Sequence, residues 1–437
     1  MSRAGGSRSR STGTPVRVDA SGDSPINYRE TLAWLYDLQR FGIKLGLENI
    51  ERLLDELDLG SARASPKIFG KVIHAAGTNG KGSVCVMIDS ICRAQGYRTG
   101  LFTSPHLVTF RERIRVNGDM ISEEAVADGL ATIRNLVANW DPHPTFFEVV
   151  TALALKHFSD TKVEIVILET GLGGRLDATS AIQSDVSVIT PIDFDHEKWL
   201  GKTIPEIAAE KAGIIKPGVL VVSASQRVDA EKVIQARAAE CHVPLEFAIK
   251  PYDETPIALA GAHQKQNAAL AIVALRAAKI DADDAAIAQG LAYIDWPARF
   301  QRWDERTIVD GAHNPAAALT LAETWRQTFG DQRATLVLAI LSDKNLRAIC
   351  EALAPISESV LLPKIRSERA ADPEELAKVF PNITPPLPYS IVPSVGEALA
   401  LARAKPNPIL ITGSLHFAGE VLAHLRGEPA AFEECAQ

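Results

Sequence analysis

A chain of 437 residues is too long for one ordinary hydrophobic core, so two or three domains are expected. Its 46% hydrophobic and 23% charged content is that of a globular protein, and no run of about 18 apolar residues offers a membrane span. A net charge of −8 argues against a nucleic-acid partner, and an anionic small substrate would need a local basic pocket.

Residues 1–25, opening "MSRAGGSRSRSTGTPVR", are rich in Arg, Ser and Gly and poor in apolar residues. A disordered tail is expected there rather than a transit peptide. Ordered sequence is expected from near Tyr28, where "NYRETLAWLYDLQRF" spaces Leu32, Leu35, Tyr36 and Leu38 as a helix does. "KLGLENIERLLDEL" continues the helical pattern. "KVIHAAG" (71–77) is a short apolar strand, followed by the loop "GTNGKGS" and a helix ending at Gly96. "RTGLFTSPH", "KVEIVILETG", "SDVSVITPI" and "GVLVVSAS" are the next strands. Strands alternating with helices predict an α/β fold with a parallel sheet covered on both faces. A second alternation begins near residue 300, with strands in "TIVDGA", "ATLVLAIL", "ESVLLPKI" and "NPILITGS". The expected division is a parallel-sheet domain over 26–296 and a smaller Rossmann-like domain over 297–437.

The five cysteines, Cys85, Cys92, Cys241, Cys350 and Cys435, are scattered and form no C-x-x-C pair. Neither a zinc site nor a disulfide framework is indicated, and a reducing cytoplasm fits.

"GTNGKGS" looks like a phosphate-binding loop with two departures from G-x-x-x-x-G-K-[ST]. Ala75 stands where the first glycine belongs, and Gly82 where the metal-binding hydroxyl belongs. The alternatives are a nucleotide site with altered parts and a plain glycine turn before a buried helix. The strand before and the helix after favour the nucleotide site, with backbone N–H groups and a helix N-terminus turned to phosphate and Lys81 reaching it. Glu169 closes one strand, and Ser104 and His196 follow two others. Taken singly, Glu169 reads as a capping acid and His196 as a loop histidine. Together at successive strand ends they are candidate Mg²⁺ ligands.

"GTNGKGS", "TSPHL…ERIRVNG", "LETGLGGRLDATS", "DFDHEKWLG", "EKAGIIKPG", "PARFQ" and "DGAHNP" occur in one order. Together they resemble the folylpolyglutamate synthase/dihydrofolate synthase family, related to the Mur ligases, over about residues 30 to 425. The resemblance implies an ATP-dependent ligase that joins L-glutamate to dihydropteroate or tetrahydrofolate through an acyl phosphate. By motif, Thr78, Asn79, Gly80, Lys81, Gly82 and Ser83 would bind ATP phosphates, and Asn267, Arg299 and Asp310 would contact ATP. Ser104, Glu169 and His196 would hold Mg²⁺, and Lys211 matches a lysine that is carbamylated and serves a second Mg²⁺. His313, beside the cleft, and Lys81 join Lys211 as catalytic candidates. Lys44, Leu45, Gly46, Leu47, Thr145, Phe146, Phe147 and Glu148 match segments that bind dihydropteroate in bifunctional members. Leu176, Asp177 and Ala178 belong to the same pocket, and Ser414 and His416 to the glutamate side. "PKIRSERAADPEEL" departs from the family pattern, which leaves amino-acid recognition open there.

Three other functions stay in view: a Mur-type ligase acting on a nucleotide-sugar peptide, a P-loop kinase or NTPase switch, and a non-catalytic nucleotide-binding module. The first commonly carries a separate domain ahead of the loop, for which the segment before Gly77 is short. The second Rossmann-like alternation and "DGAHNP" argue against the second. A monomer with no nucleic-acid or membrane partner is expected.

Overall fold

The structure, a computed structural model, describes residues 27–42, 44, 46–60, 68–384, 386–429 and 432–433. The expected tail over 1–25, and Leu45 and Cys435, lie outside the described residues.

The first sheet is built from β1 (Lys71–Ala76), β2 (Thr99–Phe102), β3 (Ile114–Val116), β4 (Asp119–Met120), β5 (Ile165–Glu169), β6 (Val186–Ile189), β7 (Leu220–Ala224) and β8 (Leu245–Ala248). Its order is β4-β3-β2-β5-β1-β6-β7-β8. The six strands from β2 to β8 in that order are parallel; β3 and β4 add an antiparallel edge. β5 and β6 are buried along their whole length, which is why both read as nearly continuous apolar runs. The helix Lys81–Ala94 lies against β1, β2 and β5 and buries every residue from Gly82 to Cys92.

The second sheet contains β9 (Gln301–Arg302), β10 (Thr307–Val309), β11 (Ala334–Leu338), β12 (Ser357–Pro363), β13 (Tyr389–Val392) and β14 (Ile409–Thr412), in the order β13-β12-β11-β14-β10-β9. Only β9 runs antiparallel. Helices Pro315–Phe329, Leu346–Leu353, Val395–Ala404 and Leu415–Leu425 supply its cover. Among the described residues no helix is long and apolar enough to cross a membrane.

Register decides where side chains emerge. Ala75 of β1 lies beside Glu169 of β5, Ala76 beside Ile189 of β6, and Phe102 of β2 beside Leu168. The carboxyl ends of four adjacent parallel strands therefore share one edge. β1 was laid down first, with later strands added on both sides of it, so this edge is a topological switch point. The second domain faces the same edge.

Candidate active site

Two glycines shape the loop after β1. Gly77 has φ +149°, and a Cβ there would meet the Thr190 hydroxyl oxygen at 1.9 Å. Gly80, at φ +91°, precedes the helix Lys81–Ala94 in a left-handed conformation. The Thr78 and Asn79 amides are committed, donating to the Pro191 carbonyl at 3.0 and 3.2 Å. The phosphate-facing set thus narrows to Gly80, Lys81, Gly82 and Ser83, at a helix end whose first N–H groups have no intrahelical acceptor.

Lys81 folds back, its ammonium donating to the Gly77 and Thr78 carbonyls at 3.2 and 3.3 Å. Lys211 donates to the same Gly77 oxygen at 2.9 Å. Lys211 is buried, and burial together with the neighbouring Lys81 charge pulls its pKa down to about 7.

Glu169 is also buried, and burial pushes its carboxyl above the ordinary range against the pull of Lys81. The Ser104 amide donates to it at 3.2 Å, while the Ser104 hydroxyl is buried without a hydrogen-bond partner. A Cβ on Gly82 would lie 3.6 Å from Glu169 Oε2 and 3.2 Å from Trp296 Nε1. A side chain in place of the missing P-loop hydroxyl would thus crowd Trp296 and stand in ordinary contact with Glu169. His196 takes a left-handed φ of +51°, and burial drives its pKa down to about 4, leaving a neutral imidazole at neutral pH. Among the described residues no three His, Cys, Asp or Glu side chains converge on a metal. An orphaned hydroxyl, a buried carboxylate without a tight counter-ion and a neutral imidazole are nonetheless a donor set suited to a divalent cation.

These residues line a cavity of about 490 Å³ together with Asn267, Arg299, Asp310, His313, Ser414 and His416. Asp310 accepts from the Phe300 and Ala312 amides at 2.7 and 2.8 Å, which fixes the "PARFQ" turn. There Ala298 and Phe300 both have positive φ, +56° and +46°, strain of the kind that collects at functional sites. Arg299 is held there with its guanidinium donating to the Ala298 carbonyl at 2.9 Å. Asn267 Nδ2 donates to Gln264 Oε1 at 2.9 Å. Ser414 caps the helix Leu415–Leu425 through the Phe417 amide, and the His416 Nε2 atom is buried without a partner.

A second cavity, of about 1060 Å³, is lined by Lys44, Gly46, Thr145, Phe146, Phe147 and Glu148, with Leu176, Asp177 and Ala178 opposite. Leu47 is not on its wall. It precedes the helix Glu48–Glu56 and packs, partly buried, on the core behind. Two acids spend their oxygens locally. Glu148 accepts from the Thr145 amide and hydroxyl, and Asp177 from the Gly171, Leu172 and Thr179 amides and the Thr179 hydroxyl. Their part in the wall is to hold its shape. The two cavities share Leu172, Asp195, His196, Lys344 and Arg369, so they form one chamber.

Three residues at this junction were not singled out by sequence. Asp195 Oδ1 pairs with Lys344 across the cleft, and Asp195 Oδ2 lies 3.5 Å from His313 Nε2. Asn314 exchanges side-chain hydrogen bonds with Asn79 at 3.0 and 3.3 Å and caps the helix Pro315–Phe329. Asp195 and Asn314 sit inside "DFDH" and "DGAHNP", whereas Lys344 follows β11 in "SDKN", a strand end that offered a positional signal.

The Mur ligase middle domain matches residues 75–250, and the Mur ligase glutamate ligase domain matches residues 298–415. The dihydrofolate synthase/folylpolyglutamate synthase of Bacillus subtilis is 34% identical over 436 residues, covering 91% of this chain and 99% of that protein. The chain belongs to the folylpolyglutamate synthase/dihydrofolate synthase family. Another member, from Escherichia coli, is 34% identical over 90% of this chain and 94% of its own. The Mycobacterium tuberculosis folylpolyglutamate synthase solved with ADP and AMPPCP superposes with a TM-score of 0.83 at 32% identity, over 92% of this chain and 99% of that one. The bifunctional Yersinia pestis enzyme solved with AMPPNP and a manganese ion gives 0.82 at 31%, over 92% and 98%. The α/β architecture read from sequence is thus that of a Mur-type ligase.

Proposed function

We propose that this chain is an ATP-dependent ligase that adds L-glutamate to dihydropteroate and to tetrahydrofolate. The observation that carries this is the single chamber: a phosphate loop with cationic and metal-suited groups opens directly onto a larger cavity walled by Phe146, Phe147 and Leu176. The first volume suits a nucleoside triphosphate, the second a flat aromatic acid.

The pterin-bearing carboxylate oxygen attacks the γ-phosphorus of ATP, the bond to the β-phosphate oxygen breaks, and ADP leaves. The amine of glutamate then attacks the acyl carbon, phosphate departs with the C–O bond's electron pair, and the amine loses its proton. Gly80 to Ser83 amides and Lys81 balance phosphate charge, and Arg299, Asp310 and Asn267 hold the nucleotide's far side. Ser104, Glu169 and His196 would hold one divalent cation, which supplies charge neutralisation at the transferring phosphate. His313 stands at the cleft beside Asp195. Ser414 and His416 face the amino-acid side.

Lys211 is the carbamylation candidate. Its neutral amine would attack CO₂, form an N–C bond, shift a C=O electron pair to oxygen and release a proton. The product is an anionic ligand for a second cation, in a place where a buried ammonium is poorly tolerated.

The division into 26–296 and 297–437 is supported by the two sheets, since β8 ends at Ala248 and β9 begins at Gln301. A cytoplasmic monomer is part of the same proposal; the described cysteines are buried and free. Purified protein should release phosphate only when glutamate and a pteroate substrate are both present. Assays with dihydropteroate and tetrahydrofolate separately test both activities. Absence of phosphate release with both substrate pairs rejects the proposal, and release without glutamate returns the chain to a plain NTPase.

A further inference from the structure

The segment Ser104–Arg113 bears the orphaned Ser104 hydroxyl at the nucleotide rim, yet much of what holds it comes from the far end of the chain. Glu433 lies 324 residues from Thr109 in sequence. Its carboxylate accepts from the Phe110 amide at 2.5 Å, the Thr109 hydroxyl at 3.1 Å and the Tyr28 hydroxyl at 3.3 Å. Its backbone amide donates to the Val108 carbonyl at 2.8 Å, and its carbonyl lies 3.3 Å from His106 Nε2. The neighbouring Phe432 ring packs edge-on against His416, centroids 5.0 Å apart. Leu107 and Val108 are buried with Phe417, Val421 and Phe432, in the core of the second domain rather than the first. A Cβ on Gly419 would meet the Leu107 carbonyl oxygen at 1.8 Å, so the helix Leu415–Leu425 rests directly on this loop's backbone.

We propose that Glu433 is a positioning residue: it straps the second domain to the loop that carries Ser104, so that the metal-facing rim is complete only when the two domains are docked. The proposal rests on Ser104 belonging to that rim. Glu433 holds the loop at His106, Val108, Thr109 and Phe110, the first of them two residues along the chain from Ser104. Glu112 organises the same loop from within, accepting from the Leu107, Val108 and Thr109 amides. The charged tail thus adds a second, remote carboxylate to a loop that already has a local one.

The test uses the full chain with Glu433→Ala, Glu433→Asp and Ser104→Ala, and with Glu428→Ala as the tail control. Hydrogen exchange of residues 104–113 is read in nucleotide-free protein, and the Mg²⁺ dependence of ATP turnover is read beside it. Loss of the charge-assisted bonds should raise exchange at the Phe110 amide about tenfold and the half-saturating Mg²⁺ concentration about tenfold in Glu433→Ala. Turnover at saturating Mg²⁺ should change less than about twofold, and Glu433→Asp should recover part of the loss. Glu428→Ala should match the unaltered protein. Unchanged exchange in Glu433→Ala overturns the strap. Faster exchange with unchanged Mg²⁺ dependence, when Ser104→Ala does raise the Mg²⁺ requirement, also overturns it, since Glu433 would then serve stability alone. If Ser104→Ala leaves the Mg²⁺ requirement untouched, the assignment of Ser104 fails first, and the proposal with it.

Discussion

Asp195 and Lys344, 149 residues apart in sequence, meet across the domain cleft with Lys344 Nζ 2.5 Å from Asp195 Oδ1. Both side chains are only 6% exposed. Burial opposes ionisation of Asp195, but the His313 hydrogen bond and the Lys344 ammonium outweigh it and hold the carboxyl well below its usual range. A pair of this kind acts as a closing contact, because loss of Lys344 would leave the buried Asp195 carboxylate with only Asn314, His313 and His196 beside it. Opening the cleft relieves that penalty by letting water in.

Lys344→Ala should therefore favour the open arrangement by about 3 kcal/mol, roughly two orders of magnitude in the closed population. Small-angle scattering should report a larger radius of gyration, and ligase turnover should fall in step. A variant with the original radius and full turnover would remove the closing role. The depressed Asp195 pKa adds a sign: its stabilisation is present above the ordinary carboxylate pKa and is lost as pH falls below it.

Lys211 predicts a dependence on both pH and CO₂. With its pKa at about 7, the amine is largely neutral above that pH and can react with CO₂. Turnover in CO₂-depleted buffer should drop and recover with bicarbonate, more at pH 8 than at pH 6. Lys211→Arg keeps a cation but cannot form the carbamate, and should lose about a hundredfold in turnover. Full activity of that variant would end the carbamate assignment. In the unmodified protein, the lowered pKa means the unfolded chain binds the extra proton between about 7 and the ordinary 10.5. The contribution of Lys211 to stability thus rises with pH across that window.

Ser104 and Ser83 separate two places for the metal-binding hydroxyl. Ser83 lies in the first turn of the helix Lys81–Ala94, one position past the usual P-loop hydroxyl. Ser104 comes from the end of β2, with a buried hydroxyl that lacks a partner. Ser104→Ala should raise the Mg²⁺ requirement about tenfold, with Ser83→Ala changing it little. The reverse ranking of the two Mg²⁺ titrations would return the ligand to the loop.

The strand ends were legible because parallel, two-side-buried strands have to be apolar runs, and β1, β5 and β6 are. With the end of β2, those ends put Glu169, Ser104 and His196 on one rim as candidates, and the family resemblance supplied the metal role. β13 gave no such signal: three of its four residues are exposed at the sheet edge. The β3–β4 hairpin is too short to establish a period. Leu47 shows the limit of carrying over a segment whole, since the residue starts a helix and turns to the core while Gly46 stays on the cavity wall. The Asp195–Lys344 and Glu433–Phe110 contacts join distant parts of the chain, and no local pattern encodes such a meeting.

Gly82 offers the sharpest check on the altered loop. In a standard P-loop a hydroxyl at this place serves the metal, so Gly82→Ser restores the motif on paper. Here the added Cβ would sit 3.2 Å from Trp296 Nε1, which has to give by a few tenths of an ångström, and 3.6 Å from Glu169 Oε2. The new hydroxyl is then within reach of the Glu169 carboxylate and would donate to it, occupying an acceptor that the cation needs. Gly82→Ser should therefore raise the half-saturating Mg²⁺ concentration about tenfold, with Gly82→Ala showing the smaller steric part. Isothermal titration of the ADP–Mg²⁺ pair would separate the two, because Gly82→Ser should weaken binding mainly through the metal. Tighter Mg²⁺ binding in Gly82→Ser would mean that the loop takes the hydroxyl after all and that Glu169 is not reserved for the cation.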